Sequence, residues 1–409
     1  MESVRQPAMR TVEFGIYRDG DNNLDASQGA TLAQALHASA KDSRIEYTVQ
    51  DTTALRRSRG DLVEGKLRTD SFTIADGTLG HAQAGKPHNM ADPKNLAHFV
   101  AQVLDNAQAS GAKQTWIELT DHGAGDGGGL EADSTKGIMR MPEMAAAIAE
   151  GVKIHSQEHP EDAGRGVDGV VANQCLMSSL GFADALSHAG VRYLAASPET
   201  MVSPGVPSNV ADAIAKNPDD PAAMGKALVN DVMHQRYGMD GQTWGPAAAF
   251  DVLDLDRAKM QSVESSVKEL NDAIASEKGN AGAVAALRED ARSVPGMVRF
   301  HGATPDMPWH ADRPAIELYG TIASDGRLDA RLRKDAAGAQ SAVENLVVAH
   351  KESHSFGPFD GDSYADAAGP TTHFPVNPAQ IDPWAPKVSE TKNRFFAETD
   401  AAAAERVIA

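Results

Sequence analysis

The first 255 residues alternate short apolar runs with segments whose apolar side chains recur at helical spacing. Thr11 to Tyr17 reads as a strand, closed by the turn-forming Asp19-Gly20-Asp21-Asn22-Asn23. A helix follows, carrying Leu24, Leu32 and Leu36 among alanines. Ile45 to Val49 is a second strand, and Lys66 to Ile74 a third at the edge. Asp92-Pro93 opens a helix in which Leu96, Phe99, Val100 and Val103 fall at i, i+3, i+4 and i+7. Next come the strand Thr115 to Thr120, a helix from Pro142 to Val152, and the strand Gly169 to Asn173. A helix from Leu176 to Ala189 then leads to the strand Val191 to Ala196. Strands alternating with helices predict a mostly parallel sheet covered on both faces.

Beyond residue 255 the pattern changes. Arg257 to Ile274, Ala281 to Arg292 and Leu328 to Lys351 read as helices, with a Pro-bearing segment from Pro295 to Pro314 between them. Phe356 to Pro370 is loop-rich, and Thr371 to Phe374 is a short strand stopped by Pro375. The expected division is 1–255 as an α/β domain, 256–355 as a smaller helical subdomain, and 356–409 as a loop-rich end with one strand.

In sheets of this kind ligands bind beyond the carboxyl ends of the strands. The Asp19–Asn23 turn, His122 and Cys175 each follow a predicted strand, so all three should emerge on one edge. Cys175 is the only cysteine, so it forms no internal disulfide and no thiolate-rich metal site. It is either a small buried hydrophobe or a reactive thiol. A thiol at a helix N-terminus beside an imidazole is expected to ionise more readily than usual. His122 reads either as a loop histidine or as that imidazole. The Gly123-Ala124-Gly125 run after it lets the backbone approach a substrate and present an N–H to an oxyanion.

Composition narrows the partners. A formal net charge of −19 disfavours nucleic acid and attracts basic peptides. Residues Met1 to Pro7 hold no signal-peptide core. No run of roughly 18 apolar residues exists to span a membrane. The chain as it stands is expected to be cytoplasmic, with export by a leaderless route the alternative, and to be a monomer acting on a peptide or protein substrate.

Asp19-Gly20-Asp21-Asn22-Asn23-Leu24, Asp121-His122-Gly123, Cys175-Leu176-Met177 and Ser197-Pro198-Glu199-Thr200 resemble, in order, the motifs of the clostripain family of cysteine peptidases. Phe250 to Leu255, Ile316 to Tyr319 and Thr372 to Pro375 extend the similarity over nearly the whole chain. The resemblance implies a caspase-like α/β/α sandwich and a His–Cys dyad. It also implies endopeptidase activity, often after Arg or Lys, sometimes with self-processing and calcium response. His122 and Cys175 match the dyad, about 50 residues apart as in caspases. The N–H groups of Gly123 and Cys175 match the oxyanion hole. Asn173 departs from the pattern, where Asp is usual, and Met201 to Gly205 lacks the expected acidic residue. A buried basic side chain needs a carboxylate partner. Glu199, Asp19 and Asp21, with Ser197 beside them, are the substitutes among substrate-binding candidates. An Asn173-lined pocket would instead favour a neutral polar residue.

The polar segment Asp126 to Arg140 reads as an exposed loop, with Lys136 and Arg140 as candidate self-processing sites against the alternative of an intact chain. His155-Ser156-Gln157-Glu158-His159 fits the H-x-x-E-H pattern of a zinc hydrolase, but lies at a polar helix end. The Asp19–Asp25 turn begins like an EF-hand, yet has Leu24 where Gly is required and Ala30 where Glu is required. Asp360 to Asp366 also clusters carboxylates. No cofactor and no metal is assigned, calcium at these acidic turns being the alternative. A catalytically silent caspase-like module that binds peptides is the second reading of the whole chain.

Overall fold

In the computed structural model, alternate strand residues face opposite layers. The described residues are 10–58, 61–80, 83–201, 205–235, 237–239, 242–244, 249–297, 311–353, 367–380 and 394–409. In chain order the main elements are β1 (Val12–Gly20), α1 (Ala30–Lys41), β2 (Ile45–Ser58), β3 (Asp61–Ala75) and α2 (Pro93–Ser110). Next come β4 (Gln114–Thr120), α3 (Met141–Glu158), β5 (Gly169–Asn173), α4 (Leu180–His188) and β6 (Tyr193–Ala196). They are followed by α5 (Val210–Lys216), α6 (Pro221–His234), β7 (Ala249–Asp254) and α7 (Arg257–Ser276). Then follow α8 (Ala281–Ser293), α9 (Ala315–Ser324), α10 (Ala330–Glu344) and β8 (Val347–Glu352).

The main sheet runs in the order β8-β7-β6-β5-β4-β1-β2-β3, and the short strands Thr78–Leu79 and Gln83–Gly85 pair antiparallel with the far side of β3. β2, β1, β4, β5 and β6 are parallel, while β3, β7 and β8 join antiparallel at the two sides. Tyr17, Ile117, Leu119, Val170, Ala172 and Leu194 pack with α2, α3, α4 and α7 to α10. Phe14, Ile16, Trp116, Val171, Ala195 and Val252 pack with α1, α5 and α6 on the other face. Burial on both faces is what the near-continuous apolar runs required. The result is the expected caspase-like α/β/α sandwich.

Local signals act as read at α2. The Asp92 side chain accepts from Lys94 N (3.0 Å), Pro93 occupies the first turn, and Gly111 ends the helix at φ 69°. Four expectations are corrected. The helix after Cys175 begins at Leu180, where the Ser179 hydroxyl accepts from Phe182 N, and not at Leu176. The predicted exposed loop 126–140 contains a β-hairpin, Gly129–Ala132 with Gly137–Met139. The predicted helix to Lys351 stops at Glu344, and Val347–Glu352 returns to the sheet as β8 beside β7. The chain end is partly helical, at Arg394–Glu398 and Ala401–Ile408, with Phe395 and Ile408 buried in the same apolar cluster as α7. Thr371–His373 is a strand as expected, but it pairs with Asp312–Pro314 outside the main sheet. No helix of the described chain is long and apolar enough to cross a membrane.

Candidate active site

Parallel pairing places Thr120 of β4 beside Asn173 of β5. His122 and Cys175 each lie two residues further on, so they leave the sheet side by side at the carboxyl-end rim. The Gln174 side chain donates to the His122 carbonyl (2.8 Å), and Asp121 N reaches the Asn173 carbonyl (3.4 Å). A Cβ on Gly123 would stand 2.2 Å from the Cys175 oxygen and 3.0 Å from its nitrogen. Only glycine allows the two backbones this approach.

The turn after β1 joins them. Arg18, buried beneath it, is paired with Asp25 (3.0 Å) and Asp51 (2.6 Å). Asn22 Nδ2 donates to Asp121 Oδ1 (2.5 Å), and His122 Nε2 to Asn23 Oδ1 (2.7 Å). Asp121 also accepts from the N–H groups of His122 (2.6 Å) and Glu131. Burial, reinforced by neighbouring Asp19, pushes the Asp121 carboxyl well above its ordinary range. Asp19 is itself buried, takes the Asp21 N–H (2.9 Å), and has its pKa raised by burial to about 7. Asp21 turns to Ser134 N (3.2 Å), and Asp25 to Arg18 and Thr53. Asp21 and Asp25 are thus taken up by protein donors, while Asp19 Oδ2 is buried without a hydrogen-bond partner among the described residues. The second acidic cluster, 360–366, lies outside the described residues.

Cys175 is half-buried, and its sulfur accepts the Met201 N–H (3.3 Å). The thiol is turned to the Met201 carbonyl (3.9 Å), and no hydrogen bond joins it to the imidazole in this state. Burial raises the thiol pKa, with the Glu199 charge adding to it against the Met201 N–H. The helix-terminus argument for an easily ionised thiol fails here because four residues separate Cys175 from α4. Leu176 follows at φ 65°, a left-handed conformation rare for leucine. Its N–H donates to the Glu199 carbonyl (3.0 Å), and Ser178 N to the Ser197 carbonyl (2.9 Å). Ser197 Oγ donates to the Glu199 carbonyl (2.8 Å), and both residues are fully buried. Ser197 and Glu199 thus brace the Cys175 loop from the side of β6.

Asn173 is buried and occupied. It donates to Glu118 Oε1 (3.0 Å) and the Val206 carbonyl (3.1 Å), and accepts from Val206 N (2.8 Å). Its side chain fastens the chain after Met201 to β5. Lys136 lies exposed in the hairpin turn at φ 51°. Arg140 caps α3 and donates to the Gly127 carbonyl (2.8 Å). Sequence reasoning missed Asn23, Met201 and Glu118, which meet the site through tertiary contacts. Asn23, Met201 and Glu118 all lay within segments already noted, but nothing local marked them as site residues.

Three solved structures share this fold over nearly the full chain. One is a secreted C11 cysteine protease from Bacteroides thetaiotaomicron in complex with an irreversible peptide inhibitor. Its TM-score is 0.65 at 12% identity, covering 96% of this chain and 99% of that one. A second, an inactive zymogen C11 protease from Parabacteroides distasonis, has a TM-score of 0.61 at 13% identity, covering 97% and 99%. A third, the secreted Bacteroides thetaiotaomicron protease "iotapain", has a TM-score of 0.61 at 14% identity, covering 96% and 100%. At these identities the likeness is one of fold: the chain has the caspase-like architecture. The neighbours that share it are proteases of C11, the clostripain family. No protein-family model matches the sequence, and no curated protein matches it.

Proposed function

We propose that the protein is a clostripain-like cysteine endopeptidase whose reaction is carried by Cys175 and His122. The observation that supports this most is the matched register of β4 and β5, which sends both residues off one rim with Gly123 pressed against the Cys175 backbone. In the reaction, the Cys175 thiolate adds to a peptide carbonyl carbon, and the oxyanion accepts hydrogen bonds from Gly123 N–H and Cys175 N–H. The C–N bond then breaks as His122 protonates the departing amine. Water, deprotonated at the imidazole, cleaves the thioester and regenerates the thiol.

Before attack, the sulfur leaves the Met201 N–H and the imidazole leaves Asn23 Oδ1. The described arrangement is therefore the resting one. Asp19 and Glu199 are fully buried, and the Glu199 carboxylate accepts from Thr200, so of the acidic substrate-binding candidates only the partly exposed Asp21 is left to favour Arg or Lys before the cut. Of the two self-processing candidates, Lys136-Gly137 suits cleavage better: Lys136 is exposed at a turn, whereas Arg140 is held by its own capping contacts. The test is hydrolysis of a peptide library by wild type, Cys175→Ala and His122→Ala, with and without chelator. Loss in both variants is expected. No cleavage by any form, processed or intact, would favour the silent peptide-binding module.

A further inference from the structure

His155 and His159 stand at the opposite end of the sheet from Cys175. α3 leaves the rim at Met141 and runs back toward the start of β5 at Gly169, so His155 lies about 21 Å along the helix from its first turn. Glu158, the acidic residue of the H-x-x-E-H pattern, is exposed and takes no part in the group. The third member is Asp105, from neighbouring α2. Its Oδ1 lies 2.7 Å from His155 Nδ1 and 3.4 Å from His159 Nε2.

The remaining ring nitrogens face carboxylates as well. His155 Nε2 is 3.3 Å from Asp162 Oδ2, which Arg165 Nε holds at 2.5 Å. His159 Nδ1 is 3.4 Å from Glu161 Oε1, which also accepts from Gln108 Nε2 (2.8 Å). Each imidazole therefore turns one nitrogen to a shared point and the other to a separate carboxylate. That is the arrangement that orients metal-binding histidines and raises their basicity. Tetrahedral zinc, with bonds of about 2.0–2.1 Å, spaces its ligand atoms by about 3.3 Å. The Asp105–His159 separation already has that value, and Asp105–His155 needs to open by about 0.6 Å. His155 is fully buried, while Asp105 and His159 are about a third exposed, leaving an open side for a water ligand. Three carboxylates against one arginine leave the cluster negative, as a dication requires.

We propose that Asp105, His155 and His159 bind one divalent transition ion of the zinc class. The ion would tie α2 to the end of α3 and take no part in peptide cleavage. Ligands of two imidazoles and a carboxylate suit zinc better than calcium or magnesium. The other histidine cluster, Asp184, His188 and Glu264, holds Arg257 at 2.5 Å from Glu264, a cation where the metal would sit.

The test is calorimetric titration of the full-length chain with zinc chloride, in a Cys175→Ala background so that the rim thiol cannot compete. Melting temperatures are compared with and without zinc. One ion per chain is expected, at micromolar affinity or tighter, with a rise in melting temperature. Adding His159→Ala or Asp105→Asn should weaken binding at least 100-fold and abolish the thermal shift. Adding Asp162→Asn should weaken it about 10–100-fold. His188→Ala should change nothing. Failure of the Cys175→Ala chain to bind zinc, or unchanged affinity in the His159 and Asp105 variants, would overturn the proposal. His155 would then simply hold Asp105 and Asp162 together by hydrogen bonds. Both partially exposed positions tolerate substitution more readily than buried His155, so the outcome does not hinge on a misfolded variant.

Discussion

Gly123→Ala isolates the backbone contact on which the proposed site depends. The added methyl would lie 2.2 Å from the Cys175 oxygen, against an ordinary contact of 3.4 Å or more. The two segments must therefore separate by about 1.2 Å, a displacement of the size that costs about 100-fold in rate when it misplaces reacting groups. Because the methyl also stands 3.0 Å from Cys175 N, the Cys175 peptide has to move as a unit, shifting both oxyanion donors together. Losing one such donor costs about 100- to 1,000-fold, or about 2.7–4 kcal/mol. The expected result is a fall in kcat/KM of at least 100-fold on the best library substrate. Overpacking at the strand ends should lower stability by about 1–3 kcal/mol. Gly123 has no left-handed φ, so backbone conformation contributes nothing to the penalty. Enzyme kinetics with a parallel thermal melt separate the two effects. A folded Gly123→Ala protein within about threefold of wild-type kcat/KM would refute the argument, because it would leave the close approach without function.

Two further predictions concern the groups beneath the rim. Asn173→Ala removes one of the three donors that buried Glu118 has among the described residues, the others being Thr120 and Ser208, and both Asn173 contacts of the Val206 backbone. It should cost about 1–3 kcal/mol in denaturant unfolding. An unchanged midpoint would show that the Asn173 contacts are not maintained in solution. Asp19 has a folded-state pKa of about 7 against an ordinary 3.8. Between those values the native chain keeps a proton that the unfolded chain releases, so stability from this group falls as pH rises from about 4 to 7, by at most about 4 kcal/mol. Asp19→Asn, which cannot ionise, should flatten that part of the curve in melts at pH 5 and pH 8, and identical curves would contradict the assignment.

The architecture was legible because it is written in local periodicity. Apolar runs buried on both faces marked the parallel strands, and the Asp92-Pro93 start and Gly111 end marked α2. The common rim of the Asp19 turn, His122 and Cys175 followed from topology alone. What escaped depended on tertiary context. Leu176 carries no sign of a left-handed conformation, so Leu176 to Ala189 looked like one helix when Ser179 was the true cap. Leu346-Val347-Val348 continued the helical pattern of α10 and concealed an edge strand whose partner, β7, is nearly 100 residues distant. Asn173 looked like a pocket residue, yet its amide is consumed by Glu118 and Val206. The histidine pair was visible, but its carboxylate, Asp105, was not, since it comes from another helix.

The central claim is that Cys175 is the attacking atom and His122 its imidazole. Incubating the protein with a peptidyl alkylating agent and mapping the adduct by mass spectrometry tests it directly. One adduct is predicted, on Cys175, forming in step with loss of peptidase activity and at least 100-fold more slowly in His122→Ala. Full peptidase activity in protein whose Cys175 is wholly alkylated, or equal rates of labelling with and without the imidazole, would contradict it.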